Sequence, residues 1–232
     1  MSKNNVLDLF CGCGGLSHGF IEAGYEVVAG IDHWQDALDT FAFNHTQSKA
    51  IKADLFNVSP KEIAKQLKTT NIDVIIGGPP CQGFSIAGKR MIDDERNQLY
   101  KSFVEFVALY QPKVFLMENV PNIISMGKGS IKEQIIQDFE ALGYTINYKV
   151  LLAADFGVPQ NRKRAFFVGL KNGQLFDFPK PLLSQVITCQ EAISDLSESN
   201  LENGADYMIE PQSHFQALMR KNSKGVYQHQ IT

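Results

Sequence analysis

The feature that most constrains this chain is a regular alternation of short apolar runs with segments of helical spacing. Apolar runs that predict strands lie at 5–10, 26–32, 50–54, 73–76 and 113–119. Segments that predict helices follow them at 16–23, 35–44, 60–68, 96–110 and 131–142. This alternation predicts an α/β fold with a doubly wound, mostly parallel sheet.

The alternation of strands and helices stops at about residue 144. Two further strands, at 144–153 and 164–170, have no helix between them, so we expect a hairpin with a long loop and a terminal antiparallel strand. From about residue 173 the chain holds only two short predicted helices, at 190–196 and 213–221. We expect a cofactor-binding catalytic domain over 1–172 and an extension over 173–232.

Composition limits the class of protein. The chain has 232 residues, of which 44% are hydrophobic and 20% charged, values typical of a soluble globular protein. No apolar run approaches the roughly 18 residues that a membrane span needs, and the N-terminus lacks a signal-peptide pattern, so we expect no membrane and a cytoplasmic location. Cys11 and Cys13 have no second close pair, which gives no reason to expect a metal site.

Residues of chemical interest follow the predicted strands. Ligands of such sheets bind beyond the carboxyl ends of the strands. The residues at those ends are a glycine turn over 12–15, Asp32, Asp54, Cys81 and Glu118. Five such coincidences predict one site at that edge of the sheet.

The first three strand ends favour a nucleoside cofactor. Gly12, Gly14 and Gly15 bring bare backbone to a helix N-terminus, but Ser17 stands where a dinucleotide fingerprint needs its third glycine. Asp32 suits ribose hydroxyls and Asp54 could accept from an adenine amine. Each acid taken singly is more often a helix cap or a solvated loop residue. As a spaced set they predict S-adenosylmethionine.

The fourth strand leads into Gly-Gly-Pro-Pro-Cys-Gln-Gly-Phe-Ser at 77–85. Glycine and proline fix an unusual backbone path, which suits a cysteine nucleophile. The same loop is equally consistent with an ordinary turn that carries a buried Cys81.

Four segments together resemble the DNA (cytosine-5)-methyltransferase family. They are Asp-Leu-Phe-Cys-Gly-Cys-Gly-Gly at 8–15, Gly-Pro-Pro-Cys-Gln-Gly-Phe-Ser at 78–85, Glu-Asn-Val at 118–120 and Gln-Asn-Arg-Lys-Arg at 160–164. They occur in the family's order, and the resemblance extends over about 5–170. It implies an S-adenosylmethionine-dependent methyltransferase that methylates carbon-5 of cytosine in duplex DNA, as part of restriction-modification, after flipping the base out of the helix.

The resemblance also implies roles for single residues. Cys81 would add to carbon-6 of the base, and Glu118 would place a protonated carboxyl at ring nitrogen 3. Of Arg162 and Arg164, one would orient the acid and the base, and the other would have a structural role. The loop at 84–95 would cover the flipped base, and its Lys89 and Arg90 would bind phosphate. The implied cofactor contacts are Phe10, Gly12, Gly14, Gly15, Asp32, Asp54, Pro79 and Leu99. Leu99 also belongs to an apolar stripe at helical spacing, which favours a core position.

The family's target-recognition region and its later segments have no match in this sequence. Two interpretations remain open: a truncated chain, or the larger subunit of a two-chain methyltransferase that needs a second subunit. We favour the second interpretation. The target DNA sequence cannot be read from this chain.

Three other functions are consistent with parts of the sequence. A transfer-RNA cytosine-5 methyltransferase of the same superfamily would share the motifs, and a catalytically inactive DNA-binding relative would share the fold. A cysteine hydrolase would need a histidine base, and none of the five histidines lies in such a motif. The cysteine, the acid and both arginines together favour an active methyltransferase.

Overall fold

The chain folds around a seven-stranded sheet in the order β3-β2-β1-β4-β5-β7-β6. The computed structural model describes residues 4–69, 71–80, 98–182, 186–196 and 209–220. The strands are β1 Asn5–Leu9, β2 Glu26–Asp32, β3 Lys49–Lys52, β4 Val74–Gly77, β5 Val114–Asn119, β6 Thr145–Leu152 and β7 Lys163–Leu170. The first five pair in parallel, and β7 runs antiparallel to β5. The predicted fold class, including the terminal antiparallel strand, is confirmed.

Helices connect the strands within the described residues. They are α1 Gly15–Glu22, α2 Gln35–Asn44, α3 Pro60–Ala64, α4 Gln98–Tyr110, α5 Ser130–Glu140, α6 Cys189–Ile193 and α7 His214–Arg220. Three 3₁₀ turns, which the sequence analysis did not predict, lie at Pro121–Ile124, Met126–Gly129 and Ala153–Phe156.

The two faces of the sheet carry separate apolar clusters. Leu7 and Leu9 of β1 point into the larger cluster, with Phe103 and Phe106 of α4 and Phe139 of α5. The alternate positions of the strands point into the smaller cluster, which holds Val6, Val27, Leu38, Phe41 and Ile76. Because strand side chains alternate between faces, this division shows that helices cover both faces of the sheet.

Most predicted boundaries agree closely with the structure, and two of those that differ have clear local reasons. The α3 helix ends at Ala64 and not near residue 68, because tighter bonds follow it, such as that from Leu67 N–H to the Ala64 carbonyl at 3.3 Å. The β3 strand ends at Lys52, since the carboxylate of Asp54 accepts the N–H of Phe56 at 3.0 Å and turns the chain.

The sheet reverses its direction of growth between β1 and β4. From β1 the strands β2 and β3 extend to one side, while β4 and β5 extend to the other. β1 and β4 lie so close at this point that a Cβ on Gly77 would be 2.2 Å from the Leu9 carbonyl oxygen. In doubly wound sheets this switch point is where ligands bind.

The chain divides into two compact units. The first is Met1–Val150 with Arg164–Phe178, and the second is Leu151–Lys163 with Pro179–Thr232. In the second unit a capping box starts α6, since Glu191 Oε2 accepts from the Thr188 N–H and hydroxyl at 2.8 Å each. The guanidinium of Arg220 on α7 pairs with the buried Asp195. The functional division at residue 172 stays a prediction.

None of the described helices combines the length and the apolar character that crossing a bilayer requires.

Candidate active site

The turn after β1 is built from left-handed backbone. Phe10, Gly12 and Gly14 have φ values of 57°, 53° and 90°. Left-handed backbone is rare for a bulky residue such as Phe10, and strain of this kind concentrates at functional sites. Gly14 donates its N–H to the Cys11 carbonyl at 2.9 Å and closes the turn directly before α1.

The turn leaves backbone open to a ligand at two of its glycines. A Cβ built on Gly12 or Gly15 would meet no atom of the described residues within 4 Å. Gly15 starts α1, so the open backbone coincides with a helix N-terminus. Such an arrangement can accept a ligand in contact with bare peptide groups.

A buried hydrogen bond between Ser17 and Asp8 connects the elements on either side of the turn, α1 and β1. The Ser17 hydroxyl donates to Asp8 Oδ2 at 2.7 Å, and both residues are buried. Asp8 Oδ1 is also buried and has no hydrogen-bond partner among the described residues. Burial raises the pKa of Asp8 from 3.8 to about 7. The serine that replaces the third fingerprint glycine therefore ties α1 to β1.

Asp32, at the end of β2, holds the glycine turn. Its Oδ2 accepts the N–H of Gly12 at 2.9 Å, and its Oδ1 accepts the N–H of Trp34 at 3.0 Å. A carboxylate has further lone pairs for a ligand. Trp34 itself is 61% exposed, and its indole N–H donates to Asp36 Oδ2 at 3.2 Å. The structure thus brings Asp32 and the glycine turn together, as the sequence predicted.

Asp54 lies beyond the end of β3, the neighbour of β2. Its carboxylate accepts from the Phe56 N–H at 3.0 Å and from Asn57 Nδ2 at 2.7 Å. These bonds are those of a local turn, the alternative role that the sequence left open. A contact with adenine stays a prediction.

The segment after β4 is held by the end of β5. Asn119 is buried and donates from Nδ2 to the Pro79 carbonyl at 2.9 Å. A Cβ on Gly78 would lie 3.0 Å from Glu118 Oε2, so only glycine leaves this carboxylate its present place. The acid of β5 is therefore adjacent to the segment that leads into Cys81. Cys81 itself, with Lys89 and Arg90, lies outside the described residues.

Glu118 pairs with Arg164 across two strands. Arg164 Nε lies 2.7 Å from Glu118 Oε1, and each side chain is 23% exposed. The antiparallel register sets Glu118 opposite Phe166, which brings the start of β7 to the carboxyl end of β5. Arg162 belongs to the second compact unit and has an exposed side chain.

Of the other predicted contacts, Pro79 is buried and Leu99, at the start of α4, is half-buried. The apolar stripe of α4 that begins at Leu99 belongs to the core in its later part, where Phe103, Phe106 and Val107 are fully buried. Sequence reasoning missed Asn119 and His45, which contact the two loops of the site. Asn119 stands in the Glu-Asn-Val segment of the family resemblance, but the sequence assigned it no role, and a lone histidine such as His45 forms no motif.

Two chemical alternatives can be assessed among the described residues. No group of three His, Cys, Asp or Glu side chains lies close enough there to hold a metal ion. Burial raises the pKa of the Cys11 thiol strongly, so this cysteine of the glycine turn stays a neutral thiol and is a poor nucleophile.

Comparison with known proteins gives a consistent result. Residues 4–231 match the family model described as C-5 cytosine-specific DNA methylase. The Type II methyltransferase M.DdeI of Desulfomicrobium norvegicum is 41% identical over 97% of this chain and 57% of its own length. M.AquIA of Picosynechococcus is 38% identical over 77% of each chain.

Solved structures agree. A prophage-encoded chain from E. coli, described as a DNA modification methyltransferase, superimposes with a TM-score of 0.74 at 33% identity. The match covers 90% of this chain and 61% of that one. The chain therefore spans about 60% of the length of the first relatives that it matches.

Proposed function

The chain belongs to the C-5 cytosine-specific DNA methylase family, and we propose that it is the catalytic part of a methyltransferase that modifies carbon-5 of cytosine in duplex DNA. The proposal places it in a restriction-modification system, the setting in which Type II methyltransferases act. The observation that carries it is the Glu118–Arg164 pair beside Gly78, three residues before the cysteine of the family motif.

The cofactor of this proposal is S-adenosylmethionine, which supplies an electrophilic methyl group. The space left by the missing side chains of Gly12 and Gly15 and the carboxylate of Asp32 fit a nucleoside linked to a charged, phosphate-free chain. Phe10, Gly14, Asp54, Pro79 and Leu99 are proposed as further contacts.

The nucleophile in this mechanism is the thiolate of Cys81. It forms a bond to carbon-6 of cytosine, and the displaced electron pair makes carbon-5 nucleophilic. After carbon-5 is methylated, loss of its proton to a base returns the electrons to the ring and expels the thiolate. The glycines and prolines of 77–80 support the proposal, because Pro79 is already fixed by its bond from Asn119.

Glu118 is the proposed partner of ring nitrogen 3. With a proton on Oε2, it would donate a hydrogen bond to this nitrogen and neutralise the charge that the thiolate adds to the ring. Arg164 supports this role, since it holds Oε1 at 2.7 Å and fixes the plane of the carboxyl group. Arg162 is proposed to assist from the exposed loop before β7.

Duplex DNA is the proposed substrate, with the target base flipped out of the helix because carbon-6 is inaccessible in a stacked pair. The exposed Arg162 and Lys163 are proposed to bind DNA phosphates, despite a net charge of −3 for the chain. We propose in addition that methylation requires the polypeptide that the longer relatives carry beyond the matched part, supplied as a second subunit.

A methyl-transfer assay tests the proposal. Purified protein, alone and mixed with such a complementary polypeptide, is incubated with tritium-labelled S-adenosylmethionine and either duplex DNA or transfer RNA. We expect label in DNA only, at cytosine carbon-5, and only in the mixture. Label in transfer RNA would replace the proposed substrate, and efficient sequence-specific labelling by the chain alone would remove the need for a second subunit.

A further inference from the structure

His45 lies under the glycine turn, at the end of α2. It is 5% exposed, and its ring packs on Phe41 with centroids 4.7 Å apart. Its Nε2 is 3.1 Å from the carbonyl oxygen of Gly14. Because a carbonyl oxygen can only accept, Nε2 must carry the proton of this bond. The imidazole is therefore a hydrogen-bond donor to the turn.

The shape of the site explains why Gly14 has no side chain. A Cβ at this position would lie 2.2 Å from His45 Nε2 and 2.8 Å from the Phe41 ring. The Gly14 carbonyl also accepts the N–H of His18 at 2.9 Å, which is the first bond of α1. Two donors thus fix the orientation of one peptide group.

The Gly14 carbonyl and the Gly15 N–H belong to the same peptide group. In a trans peptide the carbonyl and the N–H point in opposite directions, so holding the Gly14 carbonyl toward His45 aims the Gly15 N–H away from it. A Cβ on Gly15 would meet no atom of the described residues within 4 Å, so there is open space beside the backbone at this residue. The aimed N–H also lies at the N-terminus of α1, which favours a negatively charged ligand group.

We propose that His45 is a positioning residue for cofactor binding, which acts through the Gly14 carbonyl to aim the Gly15 N–H at the ligand. This inference rests on the proposed function, since the ligand is S-adenosylmethionine and its carboxylate is the group that the N–H would meet. His45 does not touch the cofactor. Loss of the imidazole lets the peptide rotate, and cofactor affinity falls while the sheet stays intact.

The structure offers a direct way to test this role. A cavity of about 480 Å³ opens beside His45 and is lined also by Tyr25, Asn44, Ser48 and Lys68. If the side chain is shortened to alanine, the space it leaves joins this cavity. Free imidazole can then enter from solvent and donate to the Gly14 carbonyl.

The experiment measures the affinity of the full chain for S-adenosylmethionine through the fluorescence of Trp34, the single tryptophan. We expect His45→Ala to weaken binding roughly 10-fold, the loss typical of one buried hydrogen bond, and His45→Gln, which keeps a donor, to weaken it less. Millimolar imidazole is expected to restore most of the affinity of His45→Ala. At about pH 8.5, where 1-methylimidazole is mainly neutral and has no N–H, that compound should not.

The control is His214→Ala, an exposed histidine at the start of α7. It should bind like wild type. Equal affinities of wild type and His45→Ala, or equal rescue by both imidazoles, would overturn the positioning role. Should His45→Ala fail to fold, His45→Phe, which has no donor, takes its place, with circular dichroism to check the fold. A folded His45→Phe that binds more weakly than His45→Gln supports the role, and a folded His45→Phe with the affinity of wild type overturns it. Absence of binding by wild type would instead refute the proposed function.

Discussion

The backbone N–H of Gly12 donates to Asp32 Oδ2 at 2.9 Å, so the acid that ends β2 holds the turn that follows β1. One carboxylate thereby links the carboxyl ends of two neighbouring strands, β1 and β2. The same side chain can build the site and bind ribose, because its two oxygens offer more lone pairs than the Gly12 and Trp34 N–H groups use.

Asp32→Asn removes the charge and leaves only one acceptor oxygen. We expect it to weaken binding of S-adenosylmethionine at least about 10-fold, since hydrogen bonds to a charged group are worth about 1.5–3 kcal/mol. Isothermal titration calorimetry measures the effect. Asp39→Asn on α2, whose carboxylate bonds only to Gln35 among the contacts of the described residues, is the control. Similar affinities for both variants would argue against a cofactor role for Asp32.

Alanine substitutions at two neighbouring glycines are expected to have different effects, one on stability and the other on activity. In Gly77→Ala the new Cβ would lie 2.2 Å from the Leu9 carbonyl, a backbone atom that cannot yield, so we expect a loss of about 1–3 kcal/mol in unfolding free energy. In Gly78→Ala the nearest atom is Glu118 Oε2 at 3.0 Å, the end of a side chain that can move.

Gly78→Ala should therefore keep most of the stability and lose methyl transfer. Urea unfolding and the methyl-transfer assay, applied to both variants, test the contrast. A Gly78→Ala protein with full activity would show that the position of Glu118 is not required for the reaction.

Arg164→Lys tests the planar contact with Glu118. Lysine keeps the positive charge but lacks the guanidinium fork that holds Oε1 at 2.7 Å, so we expect the rate constant of methyl transfer to fall about 10- to 100-fold with little change in cofactor affinity. Lys149→Arg, at an exposed position of β6, is the matched control. An equal loss in both variants would point to DNA binding and not to the orientation of the acid.

Asp8 predicts a pH dependence of stability. Burial raises its pKa in the folded state from 3.8 to about 7, so between these values the folded protein holds a proton that the unfolded chain has lost. The folded state binds more protons, and the unfolding free energy must fall as pH rises from about 4 to about 7. Above pH 7 the contribution is constant.

Asp8→Asn removes this titration. Across the same pH interval we expect its stability to improve relative to wild type by about 3–4 kcal/mol, an order-of-magnitude figure from the shift. Urea unfolding at pH 4 and pH 8, which span this interval, gives the two differences. A difference between wild type and variant that does not change with pH would contradict a raised pKa.

The sequence predicted the features that periodicity and strand ends determine. The bounds of β2 and α2, at Glu26–Asp32 and Gln35–Asn44, agree with the prediction because apolar spacing and flanking polar residues define both. The pairing of Glu118 with Arg164 could be expected only through the family resemblance, since long-range contacts between strands leave no local pattern.

Other features depend on packing that no local pattern reveals. Phe10 adopts left-handed backbone, a conformation that its side chain disfavours and that the surrounding turn imposes. His45 reads as an ordinary core histidine until the fold sets it against Gly14. Asp54 occupies the predicted strand end, yet its carboxylate completes a local turn.

The central claim is that Cys81 is the nucleophile of a cytosine methyltransferase, and covalent trapping tests it most directly. The protein, with S-adenosylmethionine and with a complementary polypeptide present, is incubated with duplex DNA in which 5-fluorocytosine replaces the target base, and is then analysed by denaturing mass spectrometry. Fluorine at carbon-5 blocks loss of the proton and preserves the adduct. We predict a protein–DNA adduct in wild type and none in Cys81→Ser; no adduct in wild type that binds both cofactor and DNA, or an adduct that persists in Cys81→Ser, would contradict the account.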